Sequence, residues 1–241
     1  MRISRLYTNT PLQAGTELSL DGQPAHYLGK VLRLAPGAVV ALFNGDGQEY
    51  QATLLRVDKK HCTLAIGEPA CPNTESPLHT VLGLGISRGE RMDYAVQKST
   101  ELGVSEIVPL FTEHCEVRLQ GERQERRQEH WQQVAISACE QCGRVRPPSV
   151  RAPLALADWL QTKPADLCLV FDQAQTKPLQ GPRPAGGIAL LVGPEGGLSD
   201  AEIALAQSRG FTGINLGPRV LRTETAPAVA LAILQYLWGG N

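Results

Sequence analysis

The 241-residue chain has almost no net charge: 23 Lys and Arg face 24 Asp and Glu, for a formal charge of -1. A near-neutral protein has no long-range pull toward a polyanion, so any nucleic-acid affinity has to come from local basic patches. Apolar runs are short, none approaching the roughly 20 residues needed to span a bilayer. The first residues also lack the charged-then-apolar order of a secretory leader, so the expected location is cytoplasmic, with no membrane partner. Six scattered cysteines (62, 71, 115, 139, 142 and 168) read as reduced thiols rather than a disulfide framework. Cys139 and Cys142 form a lone C-x-x-C with no second pair; a structural zinc normally takes four ligands, and no metal is expected. A dinucleotide fingerprint is missing too. In Gly83-Leu84-Gly85-Ile86-Ser87-Arg88-Gly89 the third glycine falls one position late and the acidic partner in a following strand is not evident.

What is present divides the chain in two. Short β-like runs at 3–7, 39–43, 50–57 and 62–66, with turn signals at Asn44-Gly45 and Asp46-Gly47, predict a small β-barrel. Within it, apolar residues at 27, 28, 31, 32 and 34 suit one short amphipathic helix over 26–34, whose other face carries His26, Lys30 and Arg33. Periodicity alone makes that a solvated face. Arg2 and Arg5 alternate along the first strand and share one side of it. Residues 71–77 read as a linker, which sets domains of 1–72 and 73–241. Beyond it, strands at 78–86, 105–111 and 167–172 alternate with helices at 90–102, 122–142 and near 154–161. That alternation predicts an α/β domain with a mostly parallel sheet covered on both faces. The helix from 122 mixes Glu and Arg and predicts a self-paired, solvated face for Arg123, Arg126 and Arg127. The segment 143–151 holds Arg144, Arg146 and Arg151 with no acid, a candidate phosphate patch. The last helix, 226–238, is apolar almost all round, which predicts burial against the core or a second subunit.

Two loops near the end carry the chemistry. Val192-Gly193-Pro194-Glu195-Gly196-Gly197-Leu198-Ser199 and Gly217-Pro218-Arg219-Val220-Leu221-Arg222-Thr223-Glu224-Thr225-Ala226-Pro227 each follow an apolar run and lead into a helical pattern. The glycines allow positive φ and close backbone approach to a ligand. Ser199 and Glu202 have capping-box spacing, and Gly210 stops that helix. Thr223 or Thr225 can cap the last helix, with Pro227 in its first turn. Read alone, the glycine loop is as easily an ordinary turn.

The two loops together resemble the SPOUT superfamily of S-adenosylmethionine-dependent RNA methyltransferases. More narrowly, they are similar to the bacterial family, often called RsmE, that methylates N3 of a uridine in 16S ribosomal RNA. Met1-Arg2-Ile3 with Arg5 and Tyr7, His26 to Arg33, Gln97 to Val104, Pro109-Leu110 and Glu140-Gln141-Cys142-Gly143-Arg144 extend the likeness nearly end to end. The resemblance implies an N-terminal PUA-like RNA-binding barrel, a C-terminal trefoil-knotted α/β domain and a homodimer. It implies S-adenosyl-L-methionine bound by Leu191, Gly193, Pro194, Glu195, Gly196, Gly197, Leu216, Gly217, Leu221, Arg222, Thr223, Thr225 and Ala226. The partner it implies is 16S ribosomal RNA or the assembled small ribosomal subunit, with Arg2, Arg5, His26, Lys30, Arg33, Arg88, Arg144 and Arg146 as RNA contacts.

Uracil N3 carries a proton, so it is a poor nucleophile until a base removes that proton or a cation stabilises the charge on the ring oxygens. Glu224 and Arg222 have the right chemistry and are the expected catalytic pair. The structural alternative is an Arg222–Glu224 or Arg219–Glu195 ion pair that only braces the loops. Three other functions fit less well. A ribose 2′-O-methyltransferase of the same superfamily usually carries an Asn-Val-Ser-type segment where Arg222-Thr223-Glu224-Thr225-Ala226 stands. A non-catalytic ribosome-assembly factor would not need both loops intact, and a nicotinamide oxidoreductase would need the missing fingerprint.

Overall fold

The computed structural model describes residues 3–58, 60–162, 164–172 and 182–239. Two compact units emerge: one takes Met1–Glu75 and Cys139–Arg146, the other Ser76–Ala138 and Pro147–Asn241.

In the first unit, β1 (Ser4–Tyr7), β2 (Glu17–Asp21), β3 (Val39–Phe43), β4 (Glu49–Val57) and β5 (His61–Ala70) form one sheet in the order β1-β3-β4-β5-β2. The sheet is curled and PUA-like, as expected of the barrel. The β3–β4 turn rests on the predicted signals: Gly45 and Gly47 have positive φ, and Asn44 and Asp46 side chains accept the N–H of Asp46 and Gln48 at 3.1 and 2.7 Å. The expected helix over 26–34 is different. It begins earlier, as the single turn α1 (Gln23–His26), and continues as a π-helical turn over Tyr27–Val31, which Arg33 ends at φ 53°. The widened turn presses Gly29 onto the barrel, where a Cβ would meet Val57 Cγ2 at 2.8 Å.

The second unit is the predicted α/β layer structure. Strands β6 (Thr80–Gly85), β7 (Glu106–Phe111), β8 (Ser149–Val150), β9 (Leu154–Ala155), β10 (Leu167–Phe171), β11 (Ile188–Val192) and β12 (Phe211–Ile214) run parallel, in the order β12-β10-β11-β6-β7-β8, with β9 also on β7. Side chains alternate between faces. Leu82, Leu84, Ile188 and Leu190 join a core with α2 (Glu90–Glu101), α3 (Glu122–Cys142) and α6 (Thr225–Trp238). Val81, Val108, Ala189 and Leu191 face the core of α4 (Leu156–Trp159) and α5 (Asp200–Ser208). The connection after edge strand β12 does not stay at that edge. Thr223 reaches Gly193 at the end of β11 and Ser87 just past β6, and α6 then packs on α2. Such a recrossing breaks the usual rule for sheet connections and suits a knotted α/β fold.

The last helix is only partly covered. Ala226, Ala230, Leu231, Leu234 and Trp238 are buried, but Tyr236 is 91% and Leu237 43% exposed. Burial all round, expected from composition, does not hold within one chain.

Candidate active site

The glycine loop is built tightly, and each glycine has a steric reason. A Cβ on Gly193 would sit 2.8 Å from the backbone at Gly197 and Leu198, and one on Gly196 would sit 2.8 Å from His114 Cβ. Gly197 has φ 72°, and its N–H closes a turn on the Pro194 carbonyl at 2.9 Å. From the neighbouring strand, a Cβ on Gly85 would strike Pro194 N at 2.4 Å, so that glycine serves loop packing. Both halves of the predicted capping box are present: the Glu202 N–H donates to Ser199 Oγ at 3.3 Å, and the Ser199 N–H to Glu202 Oε2 at 3.0 Å.

The second loop turns at Gly217, whose φ is 111° and whose N–H donates to Asn215 Oδ1 at 2.9 Å. Helix α6 follows with Glu224 at its N-cap and no side-chain cap. The capping role expected of Thr223 or Thr225 is therefore absent. Thr223 instead donates its hydroxyl to the Gly193 carbonyl at 2.8 Å and lies 3.2 Å from the Ser87 hydroxyl, buried at 8% exposure. This buried pin holds the two loops together.

Between them lies a cavity of about 700 Å³. Of the residues singled out from the sequence, Gly193, Pro194, Glu195, Gly196, Gly197, Leu216, Leu221, Arg222, Thr223, Glu224 and Ala226 line it. Leu191, Gly217 and Thr225 do not: Leu191 is buried within β11, Gly217 shapes the turn, and Thr225 opens α6. The lining further includes Arg91, Phe171, Asp172, Asn215 and Arg219. Asp172 and Asn215 directly follow β10 and β12, and Arg91 lies in the first turn of α2 beyond β6. Ligands of open α/β sheets gather outside the carboxyl ends of strands, and that rule would have found them.

Charge is unevenly placed. Glu224 has its Oε2 buried without a hydrogen-bond partner, and its Oε1 is 4.0 Å from the Nη1 of Arg222, whose side chain is 81% exposed. With one partner exposed and the charges that far apart, the pair braces little. Glu195 has other partners than Arg219: its Oε1 accepts from the Arg88 N–H at 2.9 Å and from Arg91 Nη1 at 3.0 Å. Burial alone would raise its pKa, but these bonds, its own N–H and the Arg91 charge outweigh burial and hold the carboxyl below its ordinary range.

The basic residues separate into two groups. Arg5 and Arg144, expected to contact RNA, are taken up by internal partners. Arg5 pairs with Glu49, donates to the Arg144 carbonyl at 2.9 Å and lies over the Phe43 ring. Arg144 is buried and pairs with Glu75 at 3.0 Å. Alternation in a strand shows which side a residue takes but not whether an acid waits there. Arg146 is exposed, though it donates to the Asp46 carbonyl at 3.1 Å. His26, Lys30, Arg33 and Arg88 are exposed, Arg88 pairing with Glu116, and Arg2 lies outside the described residues.

The sequence matches the RNA methyltransferase domain family over residues 74–235 and the RNA methyltransferase PUA domain family over 20–67. Ribosomal RNA small subunit methyltransferase E of Buchnera aphidicola subsp. Schizaphis graminum is 35% identical over 240 residues, covering 99% of this chain and 98% of the relative. Its Bacillus subtilis counterpart is 30% identical, covering 95% and 93%. A putative methyltransferase from Legionella pneumophila, solved in complex with S-adenosylmethionine, superposes with a TM-score of 0.93 at 41% identity over 98% of both chains. Ribosomal RNA small subunit methyltransferase E from Neisseria gonorrhoeae, bound to S-adenosyl methionine, gives 0.93 at 37% identity over 99% of both. With its two loops, its parallel sheet and its PUA-like unit all accounted for, the chain belongs to the ribosomal RNA small subunit methyltransferase E family of RNA methyltransferases.

Proposed function

We propose that this protein methylates N3 of a uridine in 16S ribosomal RNA, with S-adenosyl-L-methionine as donor. The observation that carries the reading is the Thr223–Gly193 pin, which closes two ligand-type loops around one cavity. The residues present fit the cofactor. Two glycines with no room for a Cβ, Gly193 and Gly196, and a third at positive φ, Gly197, bring backbone groups to the cavity wall, Leu216 and Leu221 give it apolar surface, and Asp172 and Asn215 add polar side chains. When bound there, the cofactor supplies an electrophilic methyl group on a sulfonium.

The chain's own residues then manage the uracil proton. Glu224 is the better base, since its carboxylate keeps an unpartnered buried oxygen, whereas Glu195 is held ionised by its hydrogen bonds and serves to orient. Arg222 stabilises negative charge on the ring oxygens as the proton leaves. RNA is held in part by His26, Lys30 and Arg33 of the PUA-like unit, by Arg146 and by Arg88. A second copy of the chain covers Tyr236 and Leu237, and the protein acts in the cytoplasm on 16S ribosomal RNA or the assembled small subunit.

The test is nucleoside mass analysis of small-subunit ribosomal RNA from cells lacking the gene, before and after incubation with purified protein and cofactor. Loss and restoration of N3-methyluridine is the expected result. Restoration of 2′-O-methyluridine instead would assign the ribose as target, and no change in either nucleoside would end the reading.

A further inference from the structure

The stretch after α1 is irregular in more than one way. Tyr27–Val31 is wound as a π-helix, with the Leu32 N–H donating to the Tyr27 carbonyl at 2.9 Å. Arg33, which ends it, is the only residue other than glycine with a positive φ among the described residues. The apolar side chains also divide in a way that their spacing does not predict. An α-helix of this sequence would turn Tyr27, Leu28, Val31, Leu32 and Leu34 to one side. Instead Leu28 is fully buried and Leu32 and Leu34 pack against the barrel core, whereas Tyr27 is 38% and Val31 58% exposed. The wider π-turn, with Gly29 pressed onto Val57, keeps one apolar row inside and leaves the other in water.

Left-handed backbone at a non-glycine residue and exposed aromatic surface both cost stability, and such irregular turns gather at ligand sites. The surrounding charge says which ligand. From Gln23 to Ala38 there is no Asp or Glu, while His26, Lys30 and Arg33 are all exposed. Lys30 and Arg33 form no ion pair among the described residues, unlike Arg5 and Arg144 of the same unit, which glutamates hold. A ring framed by cations suits a polyanion that also offers flat apolar faces. An RNA duplex hides its base faces within the stack; an unpaired strand presents them. Resting on the proposed function, we propose that this turn is a stacking platform for an unpaired nucleotide of the substrate RNA. The base lies on the Tyr27 ring with Val31 beside it, and His26, Lys30 and Arg33 hold the flanking phosphates. Every base has a stacking face, so the platform grips a single strand without reading its sequence.

The experiment uses the full chain and two labelled RNAs, an oligoadenylate of about 12 nucleotides with 2-aminopurine among its bases and a duplex of the same length. Fluorescence anisotropy compares wild type with Tyr27→Ala and Tyr27→Phe. Tyr27 belongs neither to the barrel core nor to the side chains packed against it, so both variants are expected to fold, which thermal melting checks. Tyr27→Ala is expected to lose roughly tenfold in affinity for the single strand and Tyr27→Phe about twofold at most, with duplex affinity within about twofold of wild type for both. Wild type and Tyr27→Phe should quench the 2-aminopurine on binding, and Tyr27→Ala should not. Unchanged single-strand affinity in the alanine variant would overturn the platform. So would an equal loss for strand and duplex, or a phenylalanine variant as weak as the alanine one. Failure of the proposed function reads out separately, as wild-type protein that binds the single strand through Tyr27 yet forms no N3-methyluridine in small-subunit ribosomal RNA.

Discussion

The side-chain hydroxyl of Thr223 donates to the main-chain carbonyl of Gly193, 30 residues earlier, at 2.8 Å. One oxygen thereby fixes the spacing of two loops that both line the cavity proposed to hold the cofactor. Thr223→Val keeps the shape and removes the bond, leaving the half-buried Gly193 carbonyl without this donor. The expected cost is about 1 kcal/mol of stability. Cofactor affinity should fall by roughly tenfold, seen by calorimetry against thermal unfolding, and Thr223→Ser should restore most of both. An unchanged affinity in the valine variant would show that the loops hold their spacing without the pin.

Glu224 presents the opposite situation, a buried carboxylate oxygen that bonds to nothing. Such a group costs stability, so its retention points to work on a substrate. Glu224→Gln is expected to lower turnover by roughly 100-fold or more, while the melting temperature holds or rises. Arg222→Ala should also cut turnover with little effect on folding, because its side chain is 81% exposed. Near-normal N3-methyluridine formation by both would remove them from the chemistry.

The contrast between Thr223 and Ser199 shows what local sequence can and cannot carry. The capping box of Ser199 and Glu202 lies within one helical turn, and its spacing is visible in the sequence. Thr223 shows the same residue chemistry near a helix start, yet its partner comes from another loop, and only the tertiary fold decides between them. Glutamates distant in sequence similarly claim Arg5 and Arg144. Leu18 and Leu20 alternate with Glu17, Ser19 and Asp21 in β2, a period-two signal short enough to pass for a loop. The longer strands and helices of the second unit were legible because whole stretches keep one apolar pattern, whereas the two-residue strands β8 and β9 were not. The π-helical turn at Tyr27–Val31 was not, because its apolar spacing also suits an α-helix.

Glu195 sets a pH limit on the glycine loop. Its folded-state pKa is lowered, so the stabilisation it gives is fully present above the ordinary carboxylate value of about 4.3 and is lost as pH falls through the lowered value. Cofactor affinity should therefore show no acid limb from this group between neutral pH and about pH 5. It should decline only at the acid end, as the Arg91 and Arg88 bonds are lost. Glu195→Gln should abolish that limb while weakening affinity at every pH. A wild-type affinity that rises on acidification below pH 5 would contradict the sign.

Tyr236 and Leu237 are the last argument from packing. Both lie in a helix apolar enough to be buried, yet neither belongs to the core that holds its other face. Exposed aromatic surface on a rigid helix is costly to leave in water and is characteristic of subunit contacts. Sedimentation should give the mass of two chains for wild type and one for Tyr236→Asp/Leu237→Asp. Circular dichroism of the variant should be unchanged, since the substituted positions lie outside the core. If the double variant stays dimeric, or if wild type is monomeric at micromolar concentration, this face is not the subunit contact.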